Sequence, residues 1–315
     1  MSRRALVVGI NQYDHQPSLT CCVDDANALA QRLATHHDGA RNYDCLTLTS
    51  DKTRITASLL RQRVGQLLSD LRGGDALLYF SGHGLGTDEG GWLVTQEAQP
   101  GGGYPMGELL DAANRSGVNS ITVILDCCHS GSMGSTGEDG YANLAEGVTI
   151  LAASTASQES HEGMANSLFT ELLLSALDGG AADVRGQVSA AAAYAYAEQA
   201  LGAWQQRPMY KSHARHLAPL RRCAPAVEDA ELRLLQELFR SPDRPVVMDP
   251  SYEHTSEQAD PQNVATFNRF KALRNAGLLT TEDGLDLYFV AMQCRHVMLT
   301  PLGRFYWRLA KQGRF

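Results

Sequence analysis

Hydrophobic and polar positions along the first 220 residues follow two different rhythms. Short apolar runs at Leu6–Ile10, Cys45–Thr49, Asp75–Phe80, Ile121–Asp126 and Val148–Ala153 read as strands. Between them, apolar residues recur at i, i+3, i+4 and i+7, the spacing of one helical face. Ala26, Leu29, Ala30 and Leu33 form one such stripe behind Asp24 and Asp25, which suit a helix N-terminus. Ile55, Leu59, Leu60, Val64, Leu67 and Leu68 form a second, closed by Gly73 and Gly74. Further helices are expected at Met106–Ser116, Ser167–Ala176 and Ser189–Trp204, and an edge strand within His213–Leu220. The glycine-rich stretch Gly84–Gly103, around Trp92–Thr95, predicts a small hairpin or lid. Strands alternating with helices predict an α/β domain whose mostly parallel sheet is covered by helices on both faces.

The pattern changes near Arg221–Pro225, which places one domain at 1–222 and a second at 223–315. The second begins with a helix carrying Leu232, Leu235 and Leu238, followed by a Pro-rich loop from Ser241 to Pro261. A helix at about Asn263–Asn275 comes next, then two strand-like runs, Leu285–Ala291 and His296–Leu299, and a last helix, Pro301–Lys311. With the phrases Asn275-Ala-Gly-Leu-Leu and Leu299-Thr-Pro-Leu-Gly-Arg-Phe, this order resembles a small winged-helix domain.

Composition narrows the classes of function. The formal net charge of -8 gives no bulk attraction to nucleic acid. The N-terminus enters a strand pattern at once, without the apolar run and cleavage site of a signal peptide, and no stretch reaches the roughly 18 apolar residues of a membrane span. A cytoplasmic protein is the expectation. The cysteines are Cys21, Cys22, Cys45, Cys127, Cys128, Cys223 and Cys294. An odd count, two vicinal pairs and no C-x-x-C argue for free thiols over a disulfide framework or a structural zinc.

Two strands end in chemically loaded turns, Ser81-Gly-His-Gly84 and Asp126-Cys-Cys-His-Ser-Gly131. Open α/β sheets bind ligands beyond the carboxyl ends of their strands. One strand end therefore delivers a thiol and the other an imidazole, the minimum for a cysteine nucleophile with a general base. A lone Cys is commonly a small buried hydrophobe, and a lone His after a strand is often structural. That both end neighbouring strands, each beside Gly and Ser, favours the dyad.

Over residues 4–220 these motifs resemble the caspase-like cysteine peptidases, which include metacaspases and their prokaryotic relatives. The resemblance implies that Cys128, directly before His-Ser-Gly, is the nucleophile; Cys127 stands where the pattern has Ser. It implies His83 as general base and the amides of Gly84 and Cys128 as the oxyanion hole. Taken alone, Asp126 reads as an acceptor for backbone donors, and Asp24 or Asp25 as a helix cap. However, Leu19-Thr-Cys-Cys22-Val-Asp-Asp25-Ala resembles the metacaspase phrase that places Cys22 and Asp25 in the S1 pocket, with Ser81 and Asp126 as its other members. Two carboxylates in one slot favour a basic P1 residue, Arg and then Lys, over the P1 Asp of classical caspases.

The remaining signals are weaker. His129 reads as a turn residue, and His161 and Glu162 lie in a loop of unassigned role. Asp88-Glu89 and Glu138-Asp139 are the acids available for the Ca²⁺ that many metacaspases require, but solvation accounts for two acidic dipeptides, so no cofactor is expected. Arg269, Lys271 and Arg274 sit on the would-be recognition helix. Residues 225–315 nevertheless hold 11 Lys and Arg against 12 Asp and Glu, which favours protein docking over DNA. The expected protein is a cysteine endopeptidase acting on proteins or peptides, and kinship with prokaryotic members points to regulated proteolysis or antiviral defence. The competing readings are a catalytically silent scaffold, a winged-helix transcription regulator, and another thiol hydrolase on the same sheet. No Lys or Arg occurs between Arg115 and Arg185, so the loop Ser132–Gly147 offers a basic-P1 enzyme no site for its own maturation.

Overall fold

The computed structural model describes residues 2–69, 71, 73–87, 90–127, 143–153, 165–201, 208–214 and 218–315. The chain divides into two compact units, residues 1–182 with 187–223, and residues 183–186 with 224–315.

The first unit opens with β1 (Arg3–Gly9), α1 (Cys22–Ala34), β2 (Asp44–Thr49), α2 (Ala57–Ser69) and β3 (Asp75–Ser81). A three-stranded excursion follows, β4 (Gly84–Thr87), β5 (Gly90–Leu93) and β6 (Tyr104–Pro105), then α3 (Met106–Arg115), β7 (Ser120–Asp126) and β8 (Val148–Ala152). The unit continues with α4 (Ala165–Ser175), β9 (Gln187–Val188), α5 (Ala190–Leu201), β10 (Met209–Ser212) and β11 (Arg221–Arg222). The main sheet has the order β10-β8-β7-β3-β1-β2, parallel throughout except for β10, and β9 pairs separately with β11.

Period-2 alternation decides what each strand residue faces. Leu6, Val8, Leu78, Phe80, Val123 and Leu125 point to one face, where α2 and α3 pack. Ala5, Val7, Leu77, Tyr79 and Ile124 point to the other, covered by α1, α4 and α5. Central strands buried on both sides are necessarily continuous apolar runs, which is why they stand out in the sequence. Each fully buried Leu, Ile or Val contributes on the order of 1.5–3 kcal/mol relative to exposure.

The edge strand is Met209–Ser212, antiparallel to β8, rather than within His213–Leu220. An edge strand has one sheet neighbour, so its apolar signal is diluted; beyond it His213 continues the ladder, its amide donating to Val148 O and its carbonyl accepting from the Gly147 amide.

The second unit holds α6 (Asp229–Arg233), α7 (Leu235–Leu238), β12 (Val246–Val247), α8 (Pro261–Asn275), β13 (Leu279–Thr281), α9 (Leu287–Met292), β14 (His296–Leu299) and α10 (Pro301–Lys311). Its antiparallel sheet runs β12-β14-β13 over a core that includes Leu232, Phe239, Phe267, Phe270, Val290 and Trp307. Asp260 starts α8 by accepting from the amides of Gln262 and Asn263, with Pro261 in the first turn. The run Leu285–Ala291, expected as a strand, is instead mostly helix. Asp286 caps the Tyr288 amide, and Leu287, Val290 and Ala291 bury one helical face at i, i+3 and i+4. The strands that flank β14 are Val246–Val247 and Leu279–Thr281. Among the described residues no helix is long and apolar enough to cross a membrane.

Candidate active site

Sheet order locates the crevice. From β1 the chain leaves through α1 on one face toward β2. From β3 it leaves toward α3 on the opposite face and β7. The direction of winding reverses between β1 and β3, and a crevice opens where the outgoing connections part. In register, Gly9 stands beside Ser81, and Ser81 beside Asp126. Alternation sends all three positions to the α1 and α4 face and Cys127 to the other, where it joins the core under α2 and α3.

Gly9 allows α1 to approach. A Cβ there would lie 2.2 Å from Cys22 O and 2.8 Å from Ala26 Cβ. The first turn of α1 thus rests on the end of β1 and brings Cys22 and Asp25 over Ser81 and Asp126. Burial pushes the Cys22 thiol up to about 12, the nearby Ser81 hydroxyl eases it, and the charges of Asp126 and Asp25 add to the rise. Cys22 is therefore a neutral wall and not a nucleophile. Burial, with Asp24 adding, raises Asp25 to about 7. Asp126 is fully buried, and burial lifts it well above the usual carboxylate range; Asp25 adds to this, while the hydrogen bond from Thr170 opposes it.

Asp25 Oδ2, Ser81 Oγ and Asp126 Oδ1 are buried and have no hydrogen-bond partner among the described residues. Nor does any described Lys or Arg act on either carboxylate. Buried acceptors left in this state are costly unless a ligand supplies donors.

His83 is held at three points. Its backbone N–H donates to Tyr13 Oη at 2.9 Å, its ring lies 4.8 Å from the Tyr13 ring at 52°, and its Nε2 is 2.8 Å from Pro17 O. A carbonyl only accepts, so Nε2 carries the proton and Nδ1 keeps the basic lone pair. The Tyr13 hydroxyl in turn donates to Ile10 O at 3.1 Å. Gly82 makes room for it, because a Cβ there would sit 2.6 Å from that oxygen. Asn11 closes the loop. Its Oδ1 accepts from the Val23 amide, its Nδ2 donates to Thr20 O, and its backbone O accepts from the Leu19 amide.

The Val94 amide donates to His83 O, which makes Gly84 and Leu93 a non-hydrogen-bonded pair of the β4–β5 ladder. In such a pair the amide points away from the partner strand, so Gly84 N–H is not spent on the hairpin.

The structure brings Cys22, Asp25, Ser81 and Asp126 together and places His83 and Gly84 at the same sheet end. Cys128 and His129 lie outside the described residues, as do Asp88, Glu89, Glu138, Asp139, His161 and Glu162. Among the described residues no group of His, Cys, Asp and Glu is arranged to hold a metal ion. Sequence reasoning missed Asn11, Tyr13, Pro17, Tyr79 and Thr170. Pro17 acts through its backbone, and the others act through partners that only the tertiary fold supplies.

Known proteins resemble this chain in part. Metacaspase-7 of Arabidopsis thaliana is 26% identical over 147 residues, which are 42% of this chain and 36% of that protein. Metacaspase-1B of Aspergillus fumigatus is 31% identical over 148 residues, 41% of this chain and 36% of that protein. The chain thus spans just over a third of the length of the curated relatives it matches. A protein of Geobacter sulfurreducens of known crystal structure shares the fold at a TM-score of 0.53 and 19% identity, over 71% of this chain and 98% of that one. A caspase-domain model matches residues 2–218, a span that takes in every strand end described above, and on it the chain belongs to the caspase-domain family of peptidases, C14.

Proposed function

We propose that this chain is a cysteine endopeptidase that cleaves after Arg, and less well after Lys, with Cys128 as nucleophile and His83 as general base. The observation that carries the specificity is the set of three buried oxygens on Asp25, Ser81 and Asp126 that have no hydrogen-bond partner among the described residues. A P1 guanidinium supplies the donors they lack; a P1 carboxylate would meet two acids.

His83 Nδ1 takes the proton of the Cys128 thiol as sulfur attacks the scissile carbonyl carbon. The carbonyl π pair moves to oxygen, and the oxyanion is met by the amides of Gly84 and Cys128. Collapse expels the amine, which leaves with the proton from His83, and a thioester remains. Water, deprotonated by His83, then releases the acid product and restores the thiol. Pro17 O holds His83 in the tautomer that both halves require.

The second unit is read as a winged-helix-like module that docks a regulatory protein. Its three candidate DNA-contacting residues are engaged within the unit: Arg269 with Glu231, Arg274 with Asp286, and Lys271 over the Phe267 ring. A cytoplasmic role in regulated proteolysis, including antiviral defence, fits a peptidase joined to such a module.

The test uses fluorogenic peptides with Arg, Lys or Asp at P1. Wild type and Cys127→Ser cleave the Arg peptide, and Cys128→Ala does not. Activity that survives in Cys128→Ala and is lost in Cys127→Ser overturns the choice of nucleophile, and preference for P1 Asp overturns the pocket.

A further inference from the structure

Thr170 and Tyr79 take no part in the reaction just described, yet both are tied to its specificity acid. Thr170 sits on α4 and Tyr79 within β3, and both are 0% exposed, as is Asp126. Thr170 Oγ1 donates to Asp126 Oδ2 at 2.6 Å. A threonine hydroxyl has one proton, so the 2.6 Å bond between Tyr79 Oη and Thr170 Oγ1 is donated by the phenol. The order runs from Tyr79 to Thr170 to the carboxylate, each donor fixing the next. It ends on one oxygen, since Asp126 Oδ1 has no donor among the described residues.

Packing alone does not call for this chain. Val at 170 and Phe at 79 would fill nearly the same space without buried polar groups to satisfy. What the chain does is distinguish the two oxygens of a single buried carboxylate. Oδ2 is occupied and oriented from inside the fold, and Oδ1 is left to a ligand.

We propose that Thr170, held by Tyr79, is a positioning residue for P1 recognition, presenting Asp126 Oδ1 alone so that the P1 cation is met by single oxygens of Asp126, Asp25 and Ser81. This set favours a guanidinium, whose N–H bonds diverge in a plane from three nitrogens, over an ammonium, whose donors radiate from one. The inference rests on the assignment of these three residues to P1. Burial lifts Asp126 well above the usual carboxylate range, and the hydrogen bond from Thr170 opposes that rise. The other titratable groups facing the carboxylate are Asp25 and Cys22, and neither is a cation.

The experiment measures kcat and KM for peptides with Arg, Lys or Asp at P1, from about pH 5 to about pH 9. Wild type is compared with Thr170→Val, Thr170→Ser and Tyr79→Phe. Thr170→Val should raise KM for the Arg peptide about tenfold or more, with kcat nearly unchanged. It should also lower the Arg-over-Lys ratio and move the acid limb of kcat/KM to higher pH. Thr170→Ser should restore all three, and Tyr79→Phe should show the same changes in smaller measure. An unmoved ratio and acid limb in folded Thr170→Val and Tyr79→Phe overturn the inference while leaving the peptidase reading intact; so does a loss confined to kcat. Failure of both variants to fold, with Thr170→Ser intact, assigns the chain of hydrogen bonds to stability and overturns it too. A wild type that cleaves none of the three peptides overturns the peptidase reading, and the inference with it.

Discussion

The charge on Asp25, in the first turn of α1, opposes ionisation of Asp126 at the end of β7. Under the P1 assignment proposed above, two acids that resist losing their protons make substrate binding a proton-linked event. With Asp25 raised to about 7, kcat/KM for a P1 Arg peptide should climb between about pH 6 and about pH 8, through KM more than kcat. Asp25→Asn should flatten that climb. The same shift acts on stability with a definite sign. A carboxyl group whose folded pKa is raised stabilises the fold most fully below its unfolded pKa and loses that contribution as pH rises through the folded one. The Tm of wild type relative to Asp25→Asn should therefore fall from about pH 5 to about pH 8. A rate profile flat across neutral pH would show that the pocket is already ionised.

Tyr13 holds His83, the proposed general base, by its amide and its ring. Tyr13→Phe keeps the ring and deletes the hydroxyl, leaving the His83 amide without its acceptor. We expect kcat to fall by about threefold to tenfold with KM nearly unchanged. Stopped-flow acylation with a P1 Arg ester checks this, and an effect seen only in KM would assign Tyr13 to substrate binding.

Gly9 is the position where α1 comes closest to the sheet. In Gly9→Ala the new methyl meets a backbone carbonyl, which cannot swing aside as a side chain would. Overpacking of this kind costs about 1–3 kcal/mol, and relief requires α1 to lift. A lowered Tm and loss of Arg cleavage should come together, because the displaced turn carries Cys22 and Asp25. Retained activity with a lowered Tm would separate the helix position from the pocket.

The central sheet was legible because its strands are buried on both faces, leaving apolar runs that the acid and Ser-Gly turns interrupt. The pairing of Gly9, Ser81 and Asp126 was not. Register is a property of two strands, and each sequence segment describes one. The run Leu285–Ala291 misled because a short apolar stretch suits either period, and the Asp286 cap decides between them only once the helix exists. Thr170 gave no signal at all: on an amphipathic helix, a buried Thr looks like a small core residue until its partner is known.

The absence of Lys and Arg between Arg115 and Arg185 has a direct biochemical consequence. Active enzyme on a denaturing gel should show no break within residues 116–184. A new N-terminus inside 132–147 in wild type, missing in Cys128→Ala, would contradict either the unbroken chain or the basic P1 preference.

The loop stapled by Asn11 reaches His83 through Tyr13 and Pro17, then runs straight into the turn that carries Cys22 and Asp25. With the roles proposed for His83 and Asp25, rate and taste are geared on one short piece of chain. Lengthening or shortening it moves the imidazole and the pocket acid together, so a descendant with a different P1 preference cannot arise from indels here without also re-aiming its base. Selection should then treat the loop as a single heritable unit of fixed length. Drift in substrate choice is left to point changes at its far end, where Asp25 can be exchanged while Tyr13 and Pro17 stay in place.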